Sequence, residues 1–114
     1  VLVGSDLPHI TAAVITDACA RVMEAPETLV LGPANDGGYY LIAARRVPDV
    51  FSGIAWGSAD VLMQTERAAI TDGFRVHRLP AMTDVDTLDA LRGAADTGRA
   101  PRTIAWLDAY AARL

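Results

Sequence analysis

The stretch at residues 31–43, LGPANDGGYYLIA, decides the fold that this chain is expected to adopt. Its second half, from Tyr39 to Ala43, is rich in the aromatic and branched side chains that suit a pleated surface. A similar apolar run at 28–31 precedes it, and the intervening Asn35-Asp36-Gly37-Gly38 is typical of a tight turn. Because so short a connection joins neighbouring strands, the stretch predicts an antiparallel pair inside a sheet.

The rest of the chain alternates between strand-like and helix-like patterns. Strands are predicted at 1–3 and 74–79, the second ended by Pro80, and a short helical turn is predicted at 49–52. Helices are predicted from Thr11 to about Glu24, from Ser58 as N-cap to about Thr71, from about Thr87 to Ala95, and from Pro101 onward. This order indicates an α/β sheet covered by helices, and residues 1–114 fit a single domain.

Apolar spacing gives three of the helices an inward face. The expected inward positions of the first helix are Ala12, Ile15, Cys19 and Val22. Those of the second are Val61, Leu62, Thr65 and Ala69, and those of the last are Ile104, Leu107, Ala111 and Leu114.

Composition and charge exclude several classes of function. The net charge is −4 and all ten basic residues are arginine, which argues against a nucleic-acid partner and against a P-loop lysine. The chain is 52% hydrophobic, but no apolar run approaches the roughly 18–20 residues that span a membrane. A single cysteine, Cys19, cannot form an internal disulfide, which is compatible with a reducing cytoplasm.

Acidic residues follow three of the predicted strands. Asp6 lies in Gly4-Ser5-Asp6-Leu7-Pro8, Asp36 lies in the central turn, and Asp84 and Asp86 follow the strand at 74–79. Ligands of open α/β sheets bind beyond the carboxyl ends of the strands. Carboxylates suit Mg²⁺, which takes one or two of them and completes its coordination with water and substrate phosphates. The pattern predicts a metal-assisted site for a phosphorylated substrate.

Each of these features has a purely structural alternative. Asp6 can shape a turn, and either Asp86 or Thr87 can cap the helix that follows. We expect one aspartate of the pair to bind and the other to cap, with Asp86 slightly favoured as the ligand. Gly37-Gly38 can form a turn or bare its backbone N–H groups to a ligand. Trp56 can stack on a sugar or base, or plug the core.

Four segments together resemble a bacterial protein family. They are GSDLP at 4–8, LGPANDGGYYL at 31–41, WGS at 56–58 and DVDT at 84–87. They resemble the DUF2064 family, also described as an rSAM/selenodomain-associated transferase, of the GT-A nucleotide-diphospho-sugar transferase superfamily. The resemblance runs from Val1 to about Leu91. It implies a Rossmann-like three-layer mixed sheet that binds a nucleotide sugar or nucleoside triphosphate with Mg²⁺ or Mn²⁺, for glycosyl or nucleotidyl transfer.

The residues and the resemblance together define a candidate site. The expected metal ligands are Asp6, Asp84 and Asp86, and Asp36 is the expected catalytic base or acceptor contact. Substrate contacts are expected from Ser5, Pro8, Gly37, Gly38, Tyr39 and Trp56. Strand alternation sends Tyr39 and Tyr40 to opposite faces of the sheet. The single cysteine makes a cytoplasmic location the expectation.

Two alternative functions stay open, and the first follows from a departure from the resemblance. Relatives begin with a further strand and a glycine-rich loop bearing Lys and Arg, so we expect an N-terminally incomplete GT-A domain whose open sheet edge favours a homo-oligomer. The first alternative is a noncatalytic binding or assembly module. The second is a phosphohydrolase, because 84–88 loosely resembles the aspartyl-phosphate loop of haloacid-dehalogenase-like enzymes. It is less favoured, because only 26 residues follow Leu88.

Overall fold

The central hairpin forms as predicted, and the other elements assemble around it. The computed structural model describes residues 1–110 and Arg113. Along the chain the elements are β1 (Leu2–Val3), α1 (Ala12–Glu24), β2 (Thr28–Pro33), β3 (Tyr39–Ala43), α2 (Val61–Thr71), β4 (Arg75–Arg78), α3 (Leu88–Asp96) and α4 (Pro101–Tyr110). Ala111 and Leu114, two expected apolar positions of the last helix, lie outside the described residues.

The sheet is mixed and has the strand order β1-β3-β2-β4. β3 runs antiparallel to both β1 and β2, with Leu31 opposite Ile42, while β4 runs parallel to β2. β1, β2 and β4 therefore point the same way, and the loops that follow them meet at one end of the sheet. This confirms the predicted antiparallel pair within an otherwise parallel sheet.

A β-bulge interrupts the pairing of β2 with β3. Gly32 pairs with Leu41 and Pro33 pairs with Tyr39, so Tyr40 is the extra residue of β3. A bulge leaves one residue unpaired and re-aims the side chains beside it. The Tyr40 ring lies over Gly32, where any Cβ would collide with it. Tyr39 and Tyr40 belong to different core clusters, as strand alternation predicts.

Two apolar clusters sandwich the sheet. On one face, Ala18 and Val22 of α1 pack with Val30 and Leu41. On the other, Ala69 of α2 joins a second cluster that contains Leu29, Leu31, Ile42, Val50 and Phe74. Complete burial of a leucine contributes roughly 1.5–3 kcal/mol, so the fully buried leucines of β2 dominate this packing. Helices on both faces give the expected three-layer α/β architecture.

The helices begin and end close to the predicted residues. Thr11 occupies the N-cap position of α1, and Thr87 caps α3 by accepting a hydrogen bond from the Ala90 N–H at 3.1 Å. Gly98, with φ of 70°, lies in the turn between α3 and α4. None of the helices in the described part of the chain has the length and apolar character needed to cross a membrane.

Two local expectations are wrong, and a third is wrong at one residue. Residues 49–52 form bends instead of a helical turn, because the Asp49 N–H is bound by the Asp72 carboxylate at 2.9 Å. α2 starts at Val61 with Asp60 as its N-cap, and the Ser58 hydroxyl only accepts a long bond from the Asp60 N–H. On α1, Val22 is buried and Ile15 packs against the core as expected, whereas Ala12 is exposed.

Candidate functional site

The three acidic loops meet at the carboxyl end of the parallel strands. The Val85 N–H donates to the Asp6 carbonyl at 2.8 Å, which joins the loop after β4 to the loop after β1. The Asn35 N–H donates to the Met82 carbonyl at 3.0 Å, and the Asn35 side-chain amide donates to the Thr83 hydroxyl at 2.7 Å. Backbone contacts therefore hold all three loops in one patch.

Carboxylates from each loop approach one another within that patch. Burial raises the pKa of Asp84 above its ordinary value, and the negative charges of Asp36 and Asp6 raise it further. The Asp36 side chain adds a further effect that raises the pKa of Asp84, while the backbone N–H of Asp84 lowers it. We call Asp6, Asp36 and Asp84 the carboxylate patch.

The carboxylate patch is not balanced by bases in the described structure. Within residues 1–110 and Arg113, none of its three members forms a salt bridge. The same residues contain no ready-made cage of three or more metal-binding side chains. Two neighbouring carboxylates are nevertheless enough for Mg²⁺, which usually keeps several waters and binds substrate phosphates. The patch therefore offers carboxylate oxygens of the kind that such an ion takes.

Within the acidic pair, the negative charges of Asp36 and Asp6 raise the pKa of Asp84. Asp86 is exposed, and the capping role expected of one aspartate belongs to Thr87. This favours Asp84 as a ligand, and the role expected of Asp86 stays a prediction. Residue spacing could not decide this, because both carboxylates of an i, i+2 pair point the same way in an extended segment.

The loop after β1 exposes its polar residues and buries one anchor. Ser5, Asp6 and Pro8 are exposed, whereas the Leu7 side chain is buried in the cluster under α1. The Gly4 N–H donates to the Tyr40 carbonyl at 2.8 Å. The loop is thus fixed at Leu7 and Gly4 and presents Ser5, Asp6 and Pro8 at the surface.

Aromatic residues and one acid line a cavity on the α2 side of the sheet. This cavity of about 360 Å³, here the Trp56 cavity, is lined by Asp36, Gly38, Tyr39, Trp56, Ser58 and Val61 among others. Trp56 is 57% exposed, so it does not plug the core. Burial raises the pKa of the Tyr39 phenol, and the nearby Thr65 hydroxyl partly offsets this. Their geometry falls short of a hydrogen bond, so the buried Thr65 Oγ1 has no partner.

Gly37 and Gly38 serve the loop itself. Gly37 adopts φ of 94°, and a Cβ there would overlap the Ala59 carbonyl. Its N–H donates to the Ala34 carbonyl, and the Gly38 N–H donates to Asp36 Oδ1 at 3.0 Å. The Gly37 carbonyl accepts from the Leu62 N–H at the start of α2. Both N–H groups that were expected to face a ligand are therefore used within the loop. The Gly37 carbonyl fixes the loop against α2.

A second cavity, not anticipated from the sequence, lies on the opposite face. It measures about 610 Å³, and His9, Val14, Tyr40, Met82, Thr83 and Gly93 are among its lining residues. We call it the α3 cavity, because α3 forms much of its wall. His9 follows the motif at 4–8, and that position was the one available signal. The other lining residues are too far apart in the chain to reveal the cavity.

Comparisons with known proteins agree with this architecture. The sequence profile of DUF2064, described as an uncharacterized protein conserved in bacteria, matches residues 1–58. A crystal structure from Desulfovibrio desulfuricans, provisionally described as a nucleotide-diphospho-sugar transferase, superposes with a TM-score of 0.80 at 34% identity. The superposition covers 95% of this chain and 51% of that chain, so this chain spans about half the length of its structural relative. No curated protein sequence matched.

The family profile covers just over half of the chain, including the motif at 4–8 and the central hairpin. The fold that surrounds the carboxylate patch is that of the nucleotide-diphospho-sugar transferase relative. This chain is therefore a member of the DUF2064 family.

Proposed function

We propose that this chain carries the acidic half of a metal-dependent transferase that acts on a nucleotide sugar or a nucleoside triphosphate. The observation that supports it best is the carboxylate patch of Asp6, Asp36 and Asp84, which lacks a basic partner among the described residues. Clustered like charges are costly unless a cation offsets them. Their position at the carboxyl ends of the strands is where open α/β sheets bind ligands.

Mg²⁺ or Mn²⁺ is the proposed cofactor, and Asp84 and Asp6 are its proposed ligands. Asp86 is proposed to contact the ion through a water molecule. Bound there, the ion would neutralise charge that develops on the leaving phosphate. Asp84 suits this role because the neighbouring charges of Asp36 and Asp6 disfavour its ionised form. A bound cation would reverse that effect and keep the carboxylate ionised.

Asp36 is the proposed base. Its Oδ1 accepts the Gly38 N–H at 3.0 Å, which fixes the carboxylate at the rim of the Trp56 cavity. The second oxygen of the carboxylate can accept a proton from an acceptor hydroxyl or bind that hydroxyl. Because the loop is locked against α2 through Gly37, Asp36 stands on a rigid support.

The Trp56 cavity is the proposed seat of the transferred sugar or of a base. Its volume of about 360 Å³ lies within the range of small-molecule sites, roughly 300–1,000 Å³. The exposed indole of Trp56 offers an apolar face, and Tyr39 and Gly38 complete the wall. Ser5 and Pro8, at the surface beside Asp6, are proposed to contact the diphosphate. Substrates of this class place the enzyme in the cytoplasm.

The direct test is calorimetric titration with nucleotide sugars and nucleoside triphosphates, with and without Mn²⁺. We expect at least one nucleotide to bind only with the metal, and Asp36→Asn to abolish transfer while preserving that binding. Asp17→Asn, at an exposed acid paired with Arg21 on α1, is the matched control. Metal-independent nucleotide binding, or no binding by the complete protein, would refute the proposal.

One observation favours the alternative of a noncatalytic assembly module. β1 lies at the edge of the described sheet, and Leu2 is 65% exposed with Val1 and Val3 also exposed. An open apolar edge is a template for pairing with another strand. Mass measurement in solution tests this alternative: a concentration-dependent homo-oligomer supports it, and a monodisperse monomer speaks against it.

A further inference from the structure

We propose that the α3 cavity is the acceptor site and that it takes a neutral, polyhydroxylated molecule such as a sugar or polyol. The inference rests on the proposed transferase function, because that function requires a second substrate beside the carboxylate patch. The cavity volume of about 610 Å³ falls within the range of small-molecule sites, roughly 300–1,000 Å³.

The position of the α3 cavity connects it to the carboxylate patch. Each acidic loop contributes to the cavity wall, through Asn35 next to Asp36, Thr83 next to Asp84, and His9 three residues after Asp6. The Trp56 cavity touches the same patch through Asp36. Adjacent residues of β3 line the two cavities: Tyr39 lines the Trp56 cavity and Tyr40 lines the α3 cavity. A two-substrate reaction needs two chambers beside the reacting groups, and the acidic loops border both of these cavities.

Hydrogen-bonding groups in the α3 cavity are left unsatisfied or pre-oriented. His9 Nδ1 is enclosed and has no hydrogen-bond partner, although buried polar atoms nearly always have one. The Asn35 amide nitrogen is committed to the Thr83 hydroxyl, which fixes the side chain and leaves its oxygen as an acceptor. A ligand hydroxyl can donate to the Asn35 oxygen. It can reach His9 Nδ1 once the imidazole ring turns toward the cavity, because that nitrogen is enclosed in the structure.

The charge of the cavity argues for a neutral ligand. Its wall carries one acid, Asp89, and one base, Arg99, so their formal charges cancel. Val14, Met82 and Ala94 add apolar surface to the same wall. Carbon-bound hydrogens next to many hydroxyl groups, as in sugars and polyols, match such a mixture. A phosphorylated acceptor would gain no net attraction there.

The bonds, electron pair and proton of the proposed transfer step can all be accounted for. The acceptor oxygen forms a bond to the transferred carbon or phosphorus atom. The bond from that atom to the leaving phosphate oxygen breaks, and its electron pair stays on the phosphate. The hydroxyl proton passes to the Asp36 carboxylate, which is the base of the proposed function.

Two-dimensional ¹H–¹⁵N NMR of the complete protein tests the site with glucose and glycerol as neutral probes and glucose 1-phosphate as the anionic probe. We expect glucose or glycerol to move the amide signals of Asn35, Ala90 and Thr97 saturably. Gly93→Leu should abolish these shifts, because a side chain there meets nothing within 4 Å of its Cβ and extends into the cavity. Ala13→Leu, at an exposed position of α1, is the matched control and should retain them.

His9→Phe is the second variant, since it keeps the ring and removes the unpartnered nitrogen. Loss of one hydrogen bond should weaken glucose binding roughly three- to tenfold. Stronger shifts with glucose 1-phosphate than with glucose, shifts confined to the Trp56 indole, or no shifts from any probe would each overturn the inference.

A separate titration distinguishes failure of the proposed transferase function from failure of the acceptor-site inference. Titration with Mg²⁺ and a nucleotide reports through the Val85 amide and the Trp56 indole. If these signals respond while the α3 cavity stays silent, only the acceptor site is wrong. If glucose fills the α3 cavity but neither metal nor nucleotide binds, its role as an acceptor site is overturned together with the transferase.

Discussion

The two ends of the sheet shift the pKa of an aspartate in opposite directions. At the amino end of β4, Asp72 accepts a hydrogen bond from Arg46 at 2.9 Å, and the Arg46 guanidinium stacks 4.0 Å from the Phe74 ring centre. The hydrogen bond from the Asp49 N–H, followed by Arg46, lowers the pKa of Asp72. At the carboxyl end, burial and neighbouring acids raise the pKa of Asp84.

The difference separates an end whose acid is paired from an end whose acids are unpaired among the described residues, and the second is the end to which we assign binding. The Asp72 end satisfies its charges with partners from the same chain. The Asp84 end is held together by backbone bonds, such as that from Val85 to Asp6, and leaves its carboxylates without a basic partner in the described structure. Because backbone bonds hold the loops in place, the side-chain carboxylates stay available to a ligand.

The largest expected effect tests the binding end directly. Asp84→Asn should weaken Mn²⁺-dependent nucleotide binding by on the order of 100-fold, because even residues that only support metal ligands typically contribute 10–100-fold. Calorimetry measures the change. Asp86→Asn is the internal control and should have a clearly smaller effect, since Asp86 lies outside the carboxylate patch. Equal losses in both variants would erase the distinction drawn between the two aspartates.

Gly37→Ala should destabilise the binding end by roughly 1–3 kcal/mol, the usual range for overpacking. The added Cβ overlaps the Ala59 carbonyl, and the positive φ adds further strain. Urea denaturation measures the free energy of unfolding. Gly57→Ala has a similar positive φ but no atom within 4 Å of its Cβ, so the pair separates collision from backbone strain. Similar losses in both would remove the argument for close contact with α2.

Tyr40→Phe should lower the free energy of unfolding by about 1 kcal/mol. The Tyr40 hydroxyl donates to the Pro80 carbonyl at 2.9 Å, at the base of the loop that carries Asp84. Thermal or urea denaturation checks this value, with the exposed Tyr110→Phe as control. An unchanged stability would mean that the loop after β4 does not depend on this bond.

The smallest expected effect contrasts the two ends through pH. The folded-state pKa of Asp72 is depressed, so its stabilising contribution is present above the ordinary aspartate pKa and is lost as pH falls through the folded value. Asp72→Asn should therefore lower the melting temperature slightly at pH 7 and leave it unchanged well below pH 4. The exposed Asp108→Asn is the control.

Asp84→Asn should have the opposite sign in metal-free buffer. The folded-state pKa of Asp84 is raised, so its ionised form is disfavoured at neutral pH and a neutral amide relieves that penalty. Calorimetric melting at pH 7 compares the two variants. If both substitutions lowered the melting temperature equally, the carboxylates at the two ends would be energetically alike.

Much of the fold follows from the residues themselves. The turn at Asn35 to Gly38 and the branched residues beside it specify the hairpin, and the observed β3 has the predicted bounds. The helix boundaries depend on weaker signals. Ser58, Asp60 and Thr87 are all good caps by residue type, and only the surrounding packing determines that Thr87 makes its capping bond.

The convergence of the acidic loops was predicted, whereas the roles of their residues stay predictions. Acids that follow parallel strands lie at one end of a sheet, and the loops of Asp6, Asp36 and Asp84 do meet there. The choice between Asp84 and Asp86 needed the loop geometry. The engagement of the Gly37 and Gly38 N–H groups, and the α3 cavity, depend on contacts with α2 and α3 that no local pattern encodes.

The opposite facing of Tyr39 and Tyr40 in β3 has a further consequence. Because these adjacent tyrosines line separate cavities, the proposed function implies that specificity for each reaction partner can change without disturbing the other. Substitutions around Tyr39 would alter what is delivered, whereas those around Tyr40 would alter what receives it. Randomised libraries aimed at one chamber should therefore yield variants with new preferences that combine freely with variants selected at the other.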